Sequence, residues 1–517
     1  GSNPEEAHPV VGMQIRQAVQ NGTRLIVVDP RDIGLTQFAD IHIKLRPGTN
    51  VAFANGMMHV IVEEGLTDEK YISENTEGYA ELKELVKEYT PERVGEICHI
   101  DPDMLREAAR MYATAEKAPI IYCLGVTEHS TGTEGVMSMS NMALLCGKIG
   151  KSGCGVNPLR GQNNVQGACD MGAQPTDYPG YQKVDNDTVR EKFEKAWGVK
   201  LSPKPGLKAT EVFPAAIEGR IKGLFIQGED PVVSDPDTKH IIKALTSLEF
   251  FVIQDLFMTE TAKYADVILP AVSYAEKEGT FSNTERRVQR IRKAVELPGN
   301  MRLDTDILID LMNAMGYPQK HLTSAEIMDE IASVTPSFAG ISHARLDAGE
   351  SLQWPCLSKD HPGTPIMHVG HPARGKALFY PAKFAPSAEL PDEEYPLILM
   401  TGRILYQYNA AAMTGRSDGL NEIAGEGFIE LNYKDANRLF IGNGERIIIR
   451  SRRGAITATA RVGRKVSEGE TWMPFHFPDS PVNRLTNAAL DEFARIPEYK
   501  VCAVKLEKIS EWADMMI

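Results

Sequence analysis

Several signatures of common enzyme classes are missing from this sequence. The seven cysteines, Cys98, Cys123, Cys146, Cys154, Cys169, Cys356 and Cys502, are odd in number and form no C-x-x-C pair. In a chain of 517 residues that usage excludes a disulfide framework and fits a reducing, cytoplasmic compartment. Cys146, Cys154 and Cys169 share a region, but their spacing matches no zinc or iron–sulfur pattern, so no metal ligand is assigned. No apolar run approaches the roughly 20 residues of a membrane span. Basic residues are in deficit, 56 Lys and Arg against 70 Asp and Glu, and the net charge of −14 argues against nucleic acid or an anionic membrane as partner. Neither a G-x-G-x-x-G nor a Walker loop is present, which removes nicotinamide- and ATP-type phosphate cradles. An initiator Met and a signal peptide are lacking too, so the opening GSNPEEAHP reads as the interior of a longer polypeptide.

What is present is too long for one core and alternates in type. Residues 8–22, 50–65, 79–89 and 103–115 carry helical apolar spacing, while 23–31 and 118–125 are continuous apolar strands ending in Asp-Pro and Gly. A second helix–strand unit covers 215–231, followed by strands over 248–255 and 264–271. Strands alternating with helices imply open parallel sheets. From about 395 the period changes to short strands separated by Gly turns, with a hairpin around Arg453-Gly454. The expected class is α/β, two related doubly wound α/β domains followed by a β-barrel-like domain. The expected divisions are 1–155, 156–298, a helical or irregular connector over 299–394, and 395–517.

An internal repeat carries the first functional inference. IVVDPRDIGLTQFADIHI and VIQDLFMTETAKYADVIL each place an Asp at a strand end, Asp29 and Asp255, and an Ala-Asp eleven residues on, at Asp40 and Asp266. An acid at the carboxyl end of a parallel strand is where doubly wound folds bind ribose hydroxyls; the plainer alternative is a cap on the following turn. Two such units imply two nucleotide-like ligands or one pseudo-symmetric ligand.

The stretch RGQNNVQGACDMG, Arg160–Gly172, has neither helical nor strand period and reads as a loop, either solvated or pressed against a large polar ligand. Together with GSNPEEAHP, VDPR, RPGTN, QGEDP, FMTETAKYADVILPA, EGTFSNTERRVQ, WMPFHFPDSPVNRLTN and PEYKVCAV it closely resembles, in order and over essentially the whole chain, the catalytic subunits of Mo- or W-dependent formate dehydrogenases. These belong to the molybdopterin oxidoreductases. The resemblance implies a bis(molybdopterin guanine dinucleotide) carrying Mo or W, with each guanosine arm in one α/β domain and the barrel as a cap. It implies that Gly1, Asn3, Asp29, Arg31, Gly48, Asn50 and Gly125 hold one arm. Asn50 stands where many relatives carry Asp, and an amide still donates and accepts at a guanine edge. Gly228, Glu229, Asp230, Gln254, Asp255 and Asp266 would serve the other arm. Gly402, Arg403, Tyr406, Asn483, Tyr499 and Lys500 would contact the cofactor from the cap, although Tyr406-Gln407-Tyr408 departs from the His-containing form of that motif.

By the same resemblance Arg160 fixes the formate carboxylate, for which a planar guanidinium is suited, and Gly161 and Gln162 lie along the pterins. Cys169 is then a buried free thiol rather than a metal ligand. His129 is either behind the pterin or purely structural, and His476 packs inside the cap. The metal-ligating Cys or selenocysteine and a [4Fe-4S] segment are expected upstream, and iron–sulfur subunits as partners. The implied reaction is the two-electron interconversion of formate and CO₂. Two rivals remain, a relative acting on another oxyanion and a cofactor-free scaffold of the same fold.

Overall fold

The apolar runs form the strands, and the turn residues bound them. In the computed structural model, which describes residues 1–299 and 301–509, Ile26–Val28 pairs parallel with Ile41–Ile43. Pro119–Tyr122 pairs parallel with Gly155–Pro158. Gly223–Gln227, Phe250–Asp255 and Val267–Pro270 form a parallel three-stranded sheet with Phe250–Asp255 central. The helix Asn50–Glu63 is apolar on nearly every side and is buried along most of its length, as a core helix must be. Gly56 lets it sit close to its neighbours: a Cβ there would lie 2.9 Å from methyls of Val94 and Leu105. Full burial of side chains such as Met58, Ile61, Leu82 and Leu105 contributes about 1.5–3 kcal/mol each. Side-chain caps start several helices as the sequence signals require: Asp101 Oδ1 accepts from Asp103 N at 2.8 Å ahead of Pro102–Thr114.

The C-terminal strands close a six-stranded barrel in the order 397–402, 470–474, 428–432, 455–463, 446–450, 502–508. Closure leaves no sheet edge. Its interior is apolar, with Leu399, Ile429, Ile447, Ile449, Ala460, Met473 and Val504 fully buried. The hairpin forms at the expected place, Arg450 opposite Ala455. The fold class is therefore the one expected, mixed α/β with a C-terminal barrel.

Local boundaries differ in three places. The strand expected over 118–125 stops at Tyr122, and Leu124–Thr127 winds into a helical turn that brings Gly125 N to the carbonyl of Gly1 at 3.0 Å. The strand expected over 23–31 is reduced to Ile26–Val28, although just beyond its ends Leu25 O still accepts from Ile41 N at 3.3 Å and Asp29 N donates to Ile43 O at 3.1 Å. The stretch Arg160–Gly172, expected as loop throughout, contains the helix Val165–Asp170, opened by Asn164 at φ 57°. Asn tolerates that left-handed conformation, and its Oδ1 accepts from Ser282 N at 2.9 Å.

Two compact units result, and they interleave along the chain. One comprises Gly1–Leu159, Pro231–Ile241 and the chain from Ile366 onward, so it joins the first α/β region to the barrel; the other comprises Arg160–Asp230 and Ile242–Pro365. Residues 301–394 are shared out between them, the helices Asp304–Ala314 and Ser324–Val334 going to the second unit. Among the described residues no helix is long and apolar enough to cross a membrane.

Candidate functional site

In the first unit the carboxyl end of strand Ile26–Val28, the turn at Gly125 and one mouth of the barrel surround a cavity of about 130 Å³. Gly1, Asn3, Asp29, Arg31, Gly48, Asn50 and Gly125 line it from the α/β side, and Gly402, Arg403 and Lys500 from the barrel. Several are held by specific contacts. Asp29 Oδ1 accepts from Arg31 N at 3.0 Å, so this carboxylate caps its own turn while facing the cavity. The Arg31 guanidinium lies 3.6 Å over the Trp472 ring and pairs with Glu430 at 2.8 Å. Lys500 Nζ pairs with Glu128 at 2.6 Å and donates to Thr401 O at 3.0 Å. Asn50 Nδ2 donates to Gly125 O at 3.3 Å. A Cβ on Gly125 would lie 2.5 Å from Gly1 Cα, and one on Gly402 2.4 Å from Trp472 Nε1, so glycine is what keeps these walls close-packed yet recessed.

The cavity wall also carries polar atoms that the protein leaves unsatisfied. Ser2 Oγ, Asn3 Oδ1, Glu6 Oε2, His129 Nδ1 and Arg403 Nη2 are all buried with no hydrogen-bond partner among the described residues. Orphaned buried polar atoms are individually costly, about 1–3 kcal/mol. Five around one cavity fit a ligand rich in donors and acceptors, as a guanosine-bearing pterin arm is. Burial lowers the His129 pKa to about 4, so the ring is neutral, and with Nε2 donating to Gly125 O at 3.1 Å the buried Nδ1 is left as an unpaired acceptor. Burial raises Glu6 above the ordinary carboxylate range against the pull of Arg31. Ser2, Glu6, Cys123 and Trp472 were not singled out by sequence. Ser2 and Glu6 sit inside the GSNPEEAHP motif and were within reach; Trp472 is brought here only by closure of the barrel.

The repeat has a structural meaning. Ile26 stands opposite Ile41 and Val252 opposite Val267, the same register in both units. Asp40 Oδ2 accepts from Leu25 N, and Asp266 Oδ2 from Phe251 N, each at 2.7 Å. Both acids therefore clip the entry ends of two parallel strands, opposite to the carboxyl ends where such folds bind ligands. Asp266 is thus engaged at the entry end of its strand, away from the carboxyl end. Gln254 is likewise occupied: it is fully buried, donates to Asp304 at 2.7 Å and accepts from Gln227 at 3.2 Å. At the strand ends proper, Asp255 Oδ1 accepts from Leu256 N at 2.6 Å, and Asp230 Oδ1 accepts from Thr261 N and Oγ1 at 2.9 and 2.6 Å. Gly228, at φ 66°, and Glu229 are exposed beside them.

Of the remaining expected residues, Asn483 Nδ2 donates to Val233 O and Ser234 O, both at 2.9 Å, and Tyr499 Oη to Ser234 O at 3.1 Å. These two fasten the Pro231–Ile241 segment to the barrel, and Tyr406 is exposed. His476 is a buried structural histidine, accepting from Ile404 N at 3.0 Å through Nε2. Arg160, Gly161 and Gln162 are half-buried in the second unit. Arg160 Nε donates to Gln166 Oε1 at 3.2 Å, and its backbone N to Thr284 Oγ1 at 3.1 Å. Cys169 is free and half-buried rather than buried, because it lies on the outer side of the short helix. Among the described residues no three His, Cys, Asp or Glu side chains gather as a metal-ligand set.

The fold and the cavity define a class. A family profile described as "Molybdopterin oxidoreductase" matches residues 1–314, and one described as "Molydopterin dinucleotide binding domain" matches 397–503; the chain belongs to the molybdopterin oxidoreductase family. Within it, the chain is 48% identical over 513 residues to the F420-dependent formate dehydrogenase subunit alpha of Methanocaldococcus jannaschii, covering 98% of this chain and 76% of that protein. It is 39% identical over 517 residues to formate dehydrogenase H of Escherichia coli, covering 99% and 72%. Among solved structures it is similar to acetylene hydratase from Pelobacter acetylenicus, with TM-score 0.76 and 20% identity over 98% of this chain and 77% of that one, a likeness of fold.

Proposed function

We propose that this chain is the catalytic polypeptide of a formate dehydrogenase, interconverting formate and CO₂. The observation that carries the reading is its likeness, over nearly its whole length, to two formate dehydrogenase chains. The five orphaned polar atoms argue against the scaffold alternative, because a cavity that stays empty gains nothing from buried unpaired groups. When bound, a bis(molybdopterin guanine dinucleotide) with Mo or W supplies the acceptor for the two electrons that formate loses, with one proton, in becoming CO₂.

The chain's own residues bind, orient and screen. Gly1, Asn3, Asp29, Arg31, Gly48, Asn50 and Gly125 hold one guanosine arm, with Gly402, Arg403 and Lys500 opposite them across the cavity. Gly228, Glu229, Asp230 and Asp255 serve the other arm. Arg160 presents its two terminal nitrogens to the formate oxygens, leaving Nε for the contact with Gln166, and Gln162 and Gly161 lie beside it. In a cytoplasmic enzyme a [4Fe-4S] cluster and iron–sulfur partner subunits would supply the exit for these electrons.

The test is Mo and W content by mass spectrometry, GMP after acid hydrolysis, and formate-dependent dye reduction, all on the holoenzyme. About one metal atom and about two GMP per chain, with formate oxidised and nitrate untouched, are the expected results. A loaded enzyme inert to formate would overturn the reading.

A further inference from the structure

Behind Arg160 stands a buried carboxylate that the proposed reaction does not use. Asp170 ends the helix Val165–Asp170 and is fully buried. Gln166, one turn earlier on the same face, donates from Nε2 to Asp170 Oδ1 at 2.7 Å and to Tyr181 Oη at 3.0 Å. Tyr181 Oη donates to Asp170 Oδ1 at 2.9 Å, and Trp354 Nε1 to Asp170 Oδ2 at 2.7 Å. Tyr181 holds φ 60°, a left-handed conformation unusual for an aromatic residue, and in it the hydroxyl reaches the carboxylate.

The polarity of this chain of contacts is forced. An ionised carboxylate only accepts, so Asp170 requires the NH₂ side of the Gln166 amide. The carbonyl Oε1 is thereby turned outward, and it accepts from Arg160 Nε at 3.2 Å. A flipped amide would set its oxygen against the carboxylate and its NH₂ against the guanidinium. Burial raises the Asp170 pKa above the ordinary carboxylate range, while hydrogen bonds from Gln166, Tyr181 and Trp354 oppose that rise by favouring the charged form.

We propose that Asp170, acting through the Gln166 amide, is the positioning residue that sets the orientation of the Arg160 guanidinium. It holds Nε inward so that the two terminal nitrogens face a carboxylate substrate side by side. The inference deepens the formate reading and rests on Arg160 as the carboxylate clamp.

The experiment compares Asp170→Asn, Gln166→Leu, the double variant Asp170→Asn with Gln166→Glu, and Arg160→Ala, all as metal-loaded holoenzymes. Formate binding to the chemically reduced enzyme is measured by calorimetry, alongside kcat, KM, thermal stability and GMP content. Asp170→Asn and Gln166→Leu are each expected to weaken formate binding about tenfold, with KM following and kcat changing less. The double variant restores the order of contacts, since the amide introduced at position 170 can donate to the carboxylate introduced at position 166, which still accepts from Arg160. It is expected to return to within about threefold of wild type, whereas a merely structural role gives additive loss. If Arg160→Ala weakens formate binding and Asp170→Asn and Gln166→Leu do not, the positioning role is overturned and the clamp stands. If Arg160→Ala itself leaves formate binding unchanged, the clamp reading falls first. Should Asp170→Asn fail to load cofactor, Gln166→Leu decides, and unchanged formate affinity in it overturns the proposal.

Discussion

Replacing Glu430 by Gln should destabilise the first unit far more than a surface change would. Arg31 and Glu430 are almost fully buried, with side-chain exposures of 9% and 6%. Two contacts join them, Arg31 Nη2 at 2.8 Å and Nε at 3.0 Å from Glu430 Oε2. Glu430 belongs to the barrel and Arg31 to the turn after the first α/β strand, so the pair ties these parts together beside the cavity. Gln at 430 would leave the guanidinium with a neutral partner in a dry site, while its stacking on Trp472 remains. Removing one member of a buried pair costs about 3–5 kcal/mol. Lys465, 3.3 Å from Glu430 Oε1, is largely exposed and stays hydrated, so it adds little. The assay is urea unfolding of Glu430→Gln, Arg31→Met and the double variant Arg31→Met with Glu430→Leu. The double variant should be less damaged than either single, because no charge is left stranded. A loss under about 1 kcal/mol in Glu430→Gln would refute the reasoning, since the pair would then be hydrated.

Three more outcomes follow from the geometry. Gly125→Ala drives a Cβ into the backbone of Gly1, so the holoenzyme should retain about one GMP per chain instead of about two; an unchanged content would remove Gly125 from the site. Asp266→Ala should lower stability by about 1–2 kcal/mol through the freed Phe251 N–H while leaving GMP content intact, and loss of nucleotide would restore it as a cofactor contact. Burial raises the Glu470 pKa from 4.5 to about 7. The native state therefore keeps a proton that the unfolded chain releases, and stability present below pH 4.5 is lost as pH rises through about 7. The advantage of Glu470→Gln over wild type should thus grow by about 2.5 kcal/mol between roughly pH 5 and pH 8, read as the pH dependence of urea unfolding; parallel profiles would refute it.

Much of the molecule was legible because its signals are local. The helix Asn50–Glu63, the Arg450–Ala455 hairpin turn and the strand ending at Asp255 each follow from period and turn chemistry within one short window. The Asp29 and Asp255 repeat was visible as spacing, and its register proved common to both units. The roles of its second acids were not visible, because an Asp ahead of a strand looks the same whether it meets a ribose or the amide of a neighbouring strand. The short helix at Val165–Asp170 was missed because its glycine and polar residues give no period; contacts from Tyr181, Ser282 and Trp354 hold it.

By itself, the sequence determined the kinds of element, the change from α/β to barrel, and the family, since these reside in local patterning and in motifs kept in order. The tertiary structure alone decided which polar groups share a cavity. Asn3, His129 and Arg403 are far apart in the chain, and only the closed barrel packed against the first α/β region leaves their unpaired atoms around one space. It also decided which acids face solvent, sheet or site, because a carboxylate's role depends on the donors that reach it. Asp40 and Asp170 carry the same side chain, yet one clips two strands and the other stands behind Arg160 through an amide that can point only one way.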